Sequence, residues 1–267
     1  MELRFSEKAS VIYHNIFDYP LMKNELSMWK CGKNIKGKIK IIHKDNFYFL
    51  KGREVIIKKR KENEKYSKGK LKLARKAAKL ISKIPTTKFV GITGALAMRN
   101  ASRDSDIDLM IVTTNNTLWT SRLLVYGLLL ISGFKLRVPN SKNEKNRLCL
   151  NMWMDESDLV WKNKDRNIYT AHEIAQIVPI VNKNKTYEKL LWKNKWILDF
   201  WPNAIKISNR GFSTNSSQST LSLLEIVIFK IQYLHMSKRI TREVVTPTRA
   251  LFHPNDWGKI VAKKLSS

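Results

Sequence analysis

Acidic residues are scarce in this chain. Only 22 Asp and Glu stand against 50 Lys and Arg in 267 residues, a formal net charge of +28 with a pI near 10.1. Cysteine is scarcer still. Cys31 and Cys149 lie far apart and form no CxxC, which excludes a disulfide framework and leaves a reducing compartment as the expectation. The five histidines show neither HExxH nor paired spacing, so a zinc site is not expected. Long apolar runs are also missing. The longest, LLVYGLLLISGF at 123–134, falls short of the roughly 20 residues a bilayer requires and reads as a buried helix. The opening residues, MELRFSEKAS, lack the apolar segment of a signal peptide. These absences give the expectation of a cytoplasmic protein with no membrane partner.

What the chain has in excess is positive charge. A balance of +28 exceeds what solubility requires and favours polyanions such as nucleic acid or nucleotides. A general enrichment in Lys and Asn would produce the same balance with no such partner, and composition does not choose between the two. The length, with 43% hydrophobic residues, allows a sizeable core and one large or two modest domains.

Local patterns divide the chain at about residues 58 and 164. Residues 6–31 read as short helices broken at Asp18-Tyr19-Pro20, and GKIKII and NFYFLKGRE as two strands around the polar turn His43–Asn46. Helices followed by a hairpin suggest a winged helix-like module over 1–58, a form that serves either nucleic-acid binding or plain packing. A long charged helix is expected over about 54–83, ended by Pro85. Leu73, Ala77, Leu80, Ile81 and Ile84 form its apolar stripe, and Lys68, Lys72, Lys76, Lys79 and Lys83 mark the opposite face. Such a row is either solvated surface or a contact for the phosphates of nucleic acid, with Lys72, Lys76, Lys79 and Lys83 the candidate residues. Further on, KFVGITG, DIDLMIVT and RLCLNMWM read as strands. They alternate with a one-turn helix at ALAMRN and a buried helix at 118–134. The order α-β-α-β-α-β over about 66–154 is that of an α/β layer. Beyond 165 the chain reads as helical, in AHEIAQIVPI, YEKLLWKNKWILDFW and LSLLEIVIFKIQYLHM, with a polar linker at 208–220.

Residues 94–112, GALAMRNASRDSDIDLMIV, carry the chemistry. On a strand Asp106 and Asp108 point the same way, roughly 7 Å apart by the strand rise, while Ile107, Leu109 and Ile111 face the core. Two such carboxylates repel unless a cation lies between them, and Mg²⁺ or Mn²⁺, which takes hard oxygen ligands, suits that place. Twelve residues upstream, Gly94 follows a strand and lets backbone N–H groups approach a phosphate. A phosphate cradle and metal-holding carboxylates are the parts of phosphoryl or nucleotidyl transfer.

This stretch resembles the signature of the DNA polymerase β-type nucleotidyltransferase superfamily: a glycine turn, a spacer, then Asp-hydrophobic-Asp-hydrophobic. Here the signature reads Thr93-Gly94-Ala95, ten residues, then Asp106-Ile107-Asp108-Leu109. The wider chain resembles prokaryotic nucleotidyltransferase-domain proteins in which a winged helix with IFDYPL precedes the core and LCLNMW, TAHEIAQ and ALFHPND follow it. The resemblance implies an α+β fold: a winged helix-like module at 1–58, a nucleotidyltransferase core with a mixed sheet at 59–164, and a helical region at 165–267. It implies transfer of an NMP from an NTP, taken as ATP, to an acceptor hydroxyl on nucleic acid (RNA or DNA), a protein or a small molecule. Asp106 and Asp108 would hold the metal, and Thr93, Gly94, Ala95 and Arg103 the nucleotide.

Two departures stand out. The superfamily's serine after the glycine is Ala95, and its third carboxylate, the general base, falls on Asn151. Asn coordinates metal weakly and takes no proton at neutral pH. Asp155 and Glu156 lie just beyond as possible substitutes. Alternation along RLCLNMWM would put Arg147, Cys149, Asn151 and Trp153 on one face and Leu148, Leu150, Met152 and Met154 on the other, turning Asn151 toward the aspartate pair. The rival reading is a catalytically silent protein of this fold that binds nucleic acid through the winged helix and basic helix.

Overall fold

A computed structural model describes residues 3–33, 40–138, 143–207, 212, 221–238, 240, 243–252 and 256–266. Gly37–Ile39 of the first hairpin strand, most of the 208–220 linker and residues 253–255 of ALFHPND lie outside the described residues. The chain opens with α1 (Phe5–Asn15), β1 (Leu21–Met22), α2 (Lys23–Met28), β2 (Ile41–Lys44) and β3 (Phe47–Leu50). The three strands form an antiparallel sheet in the order β1-β3-β2. The hairpin turn is tighter than the sequence suggests. Asp45 and Asn46 both take positive φ, 51° and 66°, so a two-residue turn closes the strands and His43 and Lys44 belong to β2.

α3 (Val55–Ile81) then leads to β4 (Thr87–Ile92), the single-turn α4 (Gly94–Ala97), β5 (Ile107–Thr113), α5 (Leu118–Ile131) and β6 (Leu148–Asp155). After these come α6 (Ile168–Ala175), β7 (Val178–Asn182), α7 (Thr186–Lys193), α8 (Leu223–Ser237), β8 (Val244–Val245), β9 (Arg249–Leu251) and α9 (Trp257–Ser266). The central sheet has the order β7-β4-β5-β6-β9-β8. β5 and β6 run parallel and the other neighbours antiparallel, so the fold is α+β with a mixed six-stranded sheet.

Three of those strands come from residues beyond 165, the part expected to be helical. AHEIAQIVPI is not one helix. α6 ends at Ala175, and Val178–Asn182 pairs with β4. Val178, Ile180 and Val181 are β-branched and favour an extended chain, and Pro179 is tolerated because β7 lies at the sheet edge.

Both faces of the sheet are covered. On one, Ile107, Leu109 and Ile111 pack with Ala74, Ala77 and Ile81 of α3 and Trp119, Val125 and Leu129 of α5. On the other, Met110, Val112, Met152 and Met154 pack with Tyr13, Trp29, Ile174, Leu190 and Trp201. The N-terminal helices therefore share a core with α6 and α7. α3 reaches the N-terminal sheet as well, through Ile56 and Ile57 against Phe47 and Phe49. α5 is buried on one side only: Leu123, Leu124, Leu130 and Ile131 are exposed, because a helix laid on a sheet presents just part of its circumference to the core. Among the described residues no helix is long and apolar enough to cross a membrane.

Candidate metal and nucleotide site

The site begins at the turn after β4. The backbone N–H of Thr93 donates to the carbonyl of Asp108 at 3.1 Å, holding the end of β4 against β5. Gly94 takes φ +61°, and a Cβ there would lie 2.5 Å from Asp108 Oδ2. Glycine is thus required twice, by the left-handed backbone and by the carboxylate occupying the space a side chain would take. Ala95 is exposed at the start of α4, and Thr93 is buried with its hydroxyl unpartnered among the described residues.

Asp106, Asp108 and Cys149 come together with ligand atoms within 4.8 Å of one another. Cys149 is the register partner of Asp108 across the parallel β5–β6 ladder. Arg137 Nη1 lies 3.0 Å from Asp106 Oδ2, and its Nη2 pairs with Glu144 at 2.6 Å. Asn151 Nδ2 donates to Asp108 Oδ1 at 2.7 Å. Burial, and then the neighbouring charge of Asp106, push Asp108 up to about 7. Burial likewise raises Asp106, against the pull of Arg137. Burial also raises the Cys149 thiol, and the two aspartates add to the effect, so the sulfur stays protonated. Two carboxylates that resist being charged together are short of positive charge. Asn151 Oδ1 and Thr93 Oγ1 are buried oxygens without a hydrogen-bond partner among the described residues, while Asp106 Oδ2 faces the Arg137 guanidinium. A set of hard oxygens with an uncharged thiol fits Mg²⁺ or Mn²⁺ better than a thiophilic metal.

Asn151 lies in a bulge of β6. Asp108 pairs with Cys149 but Met110 pairs with Met152, so β6 spends one residue more than β5 between them. Beyond the bulge the faces exchange. Trp153 joins Leu148 and Leu150 in the core beneath α3 and α5, while Met152 and Met154 join the opposite core with Met110. Simple alternation, which put Trp153 with Asn151 and Met152 with Leu150, is corrected here. The ladder gains a residue where the strand passes the acidic pair, a common position for a bulge.

The remaining sequence candidates scatter. Asp155 is fully buried at the far end of β6, where it accepts from the Asn116 and Ser157 backbone N–H groups. Glu156 pairs with Lys189 at 3.5 Å. Neither stands in for a carboxylate at Asn151. Arg122 is packed over Tyr126, with its guanidinium 4.6 Å from the ring centre, and donates to Gln232 of α8. Arg103 is exposed in the loop before β5 with no hydrogen-bond or ion-pair partner among the described residues. Lys72, Lys76 and Lys79 are exposed along α3, and Lys83 is exposed just beyond its end.

One carboxylate escaped the sequence reading. Glu173, on α6, is pushed up to about 8 by burial and then by the charge of Asp108, while its Oε1 accepts from Gln176 Nε2 at 2.5 Å. α6 thus carries a third acidic group within electrostatic reach of the pair. The TAHEIAQ segment contains it, but its relation to Asp108 arises from packing across the core, so no local signal marks it. Compared with family models, with curated proteins and with solved structures, the chain finds no match.

Proposed function

We propose that this chain is a Mg²⁺- or Mn²⁺-dependent nucleotidyltransferase that moves an NMP from an NTP, with ATP as the expected donor, to an acceptor hydroxyl. The observation that carries the reading is the packing of the Asp108 carboxylate into the space left by Gly94, beside Asp106. A phosphate approaching the glycine turn there meets the acidic pair directly. Asp106 and Asp108, with the carbonyl oxygen of Asn151, would hold the metal, which supplies charge for the phosphates and leaving group. Asn151 orients and does not take a proton. The acceptor oxygen bonds to the α-phosphorus as the bond to pyrophosphate breaks, and its proton passes to solvent, since Glu173, pushed up to about 8, is itself largely protonated at neutral pH.

One observation favours the catalytically silent reading. Arg137 already supplies the pair with a cation through Asp106. Metal titration separates the two. Mg²⁺ with ATP at 100 times Kd is expected to stabilise the protein by about 2.7 kcal/mol, and Asp106→Asn with Asp108→Asn to abolish the metal-dependent part. An α-phosphate-labelled NTP, offered with total RNA and with protein, then reads transfer. Identical responses to metal and nucleotide in the double variant and the parent would rule the site out.

A further inference from the structure

A cleft of about 280 Å³ lies between α3 and the loops that precede β5 and β6, lined by Tyr66, Gly69, Lys70, Arg103, Lys145 and Asn146. No role assigned above to the acidic pair uses it. Lys70 forms its root. This lysine is 2% exposed, and its Nζ donates to Ser105 O at 2.6 Å and to Asn146 Oδ1 at 2.9 Å. One buried ammonium therefore ties both loops to the helix and fixes the walls.

The cleft is short of negative charge. Arg103 and Lys145 are exposed and have no hydrogen-bond or ion-pair partner among the described residues. Burial disfavours the charged form of Lys70, Asp106 and Asp104 favour it, and Lys145, the weakest of these influences, disfavours it. Three cations from three separate segments thus converge, with Asp104 and Asp106 as the facing carboxylates. Asp106 is already engaged by Arg137.

Shape points to the kind of anion. Gly69 stands in the interior of α3 with no neighbour among the described residues within 4 Å of where its Cβ would be. Neither crowding nor positive φ demands a glycine there, although glycine in a helix costs about 1 kcal/mol relative to alanine. What it leaves is open space beside Lys70 and Tyr66. The Tyr66 ring is 41% exposed and offers an aromatic face of the kind on which bases stack. On the neighbouring face of α3, Lys65, Lys72 and Lys76 continue the positive charge away from the cleft. A free nucleotide has no use for that row, but a strand does.

We propose that this cleft seats a phosphate of a single-stranded nucleic acid, with the adjoining base against Tyr66 and the strand continuing along Lys65, Lys72 and Lys76. The site stands on its own residues and holds whether or not the acidic pair transfers a nucleotide.

The test is fluorescence anisotropy of a labelled single-stranded RNA of about 12 nucleotides with the full chain, between about 50 and 200 mM salt. Arg103→Gln with Lys145→Gln is expected to weaken binding about tenfold and to lower the slope of log K against log salt by about 1.4, or about 0.7 per lost contact on a single strand. Gly69→Gln fills the cleft with a better helix former. It is expected to weaken binding similarly while Tm holds or rises, a combination that unfolding does not produce. Unchanged affinity and slope in both variants would overturn the proposal. So would loss of tripolyphosphate binding in both variants with strand binding intact, since the cleft would then serve a free phosphate chain.

Discussion

Asn151 donates its side-chain amide to Asp108 Oδ1 at 2.7 Å and leaves its own carbonyl oxygen without a hydrogen-bond partner among the described residues. The amide partly answers the charge of a carboxylate that burial and Asp106 hold near neutral protonation. The free carbonyl oxygen is the atom available to a metal.

Replacing this residue by Asn151→Asp removes the donor and adds a third carboxylate. Without metal the variant is expected to lose about 1–3 kcal/mol at neutral pH, the cost of an unpaired buried polar group with like charges added. With Mg²⁺ its thermal shift should exceed that of the parent, and label transfer from the α-phosphate should increase. A smaller metal-induced shift than in the parent would mean that Asn151 is not directed at a cation.

Asp108 gives a pH signature of its own. Its folded pKa of about 7 lies above the usual carboxylate value, so the folded state holds the proton more tightly than the unfolded chain. The stability it contributes is full at low pH and is lost as pH rises from about 4 through about 7, an effect of about 4 kcal/mol. Asp108→Asn should therefore become more stable relative to the parent across that window when urea unfolding is followed without metal. A constant difference would show that Asp108 titrates normally.

Gly94→Ala tests the turn. A methyl group there meets Asp108 Oδ2 at 2.5 Å and must take φ +61°, which costs about 1–2 kcal/mol for the left-handed backbone alone. The expected outcome is a lower Tm together with loss of the metal-dependent stabilisation, as the carboxylate is pushed aside. Retention of full metal response in a destabilised variant would separate the turn from the pair.

Acid sensitivity should arise elsewhere, where α1 meets α6. His14 Nδ1 bonds to Ser10 O at 2.8 Å, and its Nε2 lies 3.1 Å from His172 Nε2. Nδ1 therefore carries the His14 proton and Nε2 accepts from His172. The His172 ring stacks on Trp29 with centroids 4.1 Å apart. Burial lowers His14 to about 4 and drives His172 well below its usual value, so both rings are neutral. The stability of the neutral ring is present above about 6.5 and is lost as pH falls toward about 4, by about 3 kcal/mol for His14. Asp108 and Glu173 act oppositely over the same range, so the loss is best read in an Asp108→Asn, Glu173→Gln background. His14→Gln should flatten it. A pH-independent midpoint in urea between 4 and 6.5 in that background would exclude the buried neutral pair.

Much of the frame was legible from the chain alone. The period-two pattern of β5 put Asp106 and Asp108 together and Ile107, Leu109 and Ile111 behind them, and the latter three do line the core beneath α3 and α5. The 3.6-residue pattern with Pro85 marked α3, and the glycine before a helical turn marked the start of the site. These signals are local, because strand and helix geometry repeat over a few residues and burial selects side chains at the same period. The polymerase β-type resemblance, in fold as in chemistry, belongs to the proposal above.

Relations between distant segments were settled by packing. Glu225 of α8 accepts from the backbone N–H of Trp119 at 2.6 Å and of Thr120 at 3.1 Å, capping α5 from 106 residues away. The carbonyl of Thr246 accepts from the same Trp119 through its indole N–H. The bulge in β6 exchanged the faces of Met152 and Trp153, and β7, β8 and β9 were drawn into the sheet from a region that reads as helical. Glu173 feels the charge of Asp108 because α6 packs across the sheet face that Asp108 shares with Met110. Alternation and amphipathic period describe one segment at a time. Which segment a buried carboxylate finally faces depends on how the layers close over it, and that depends on the whole core.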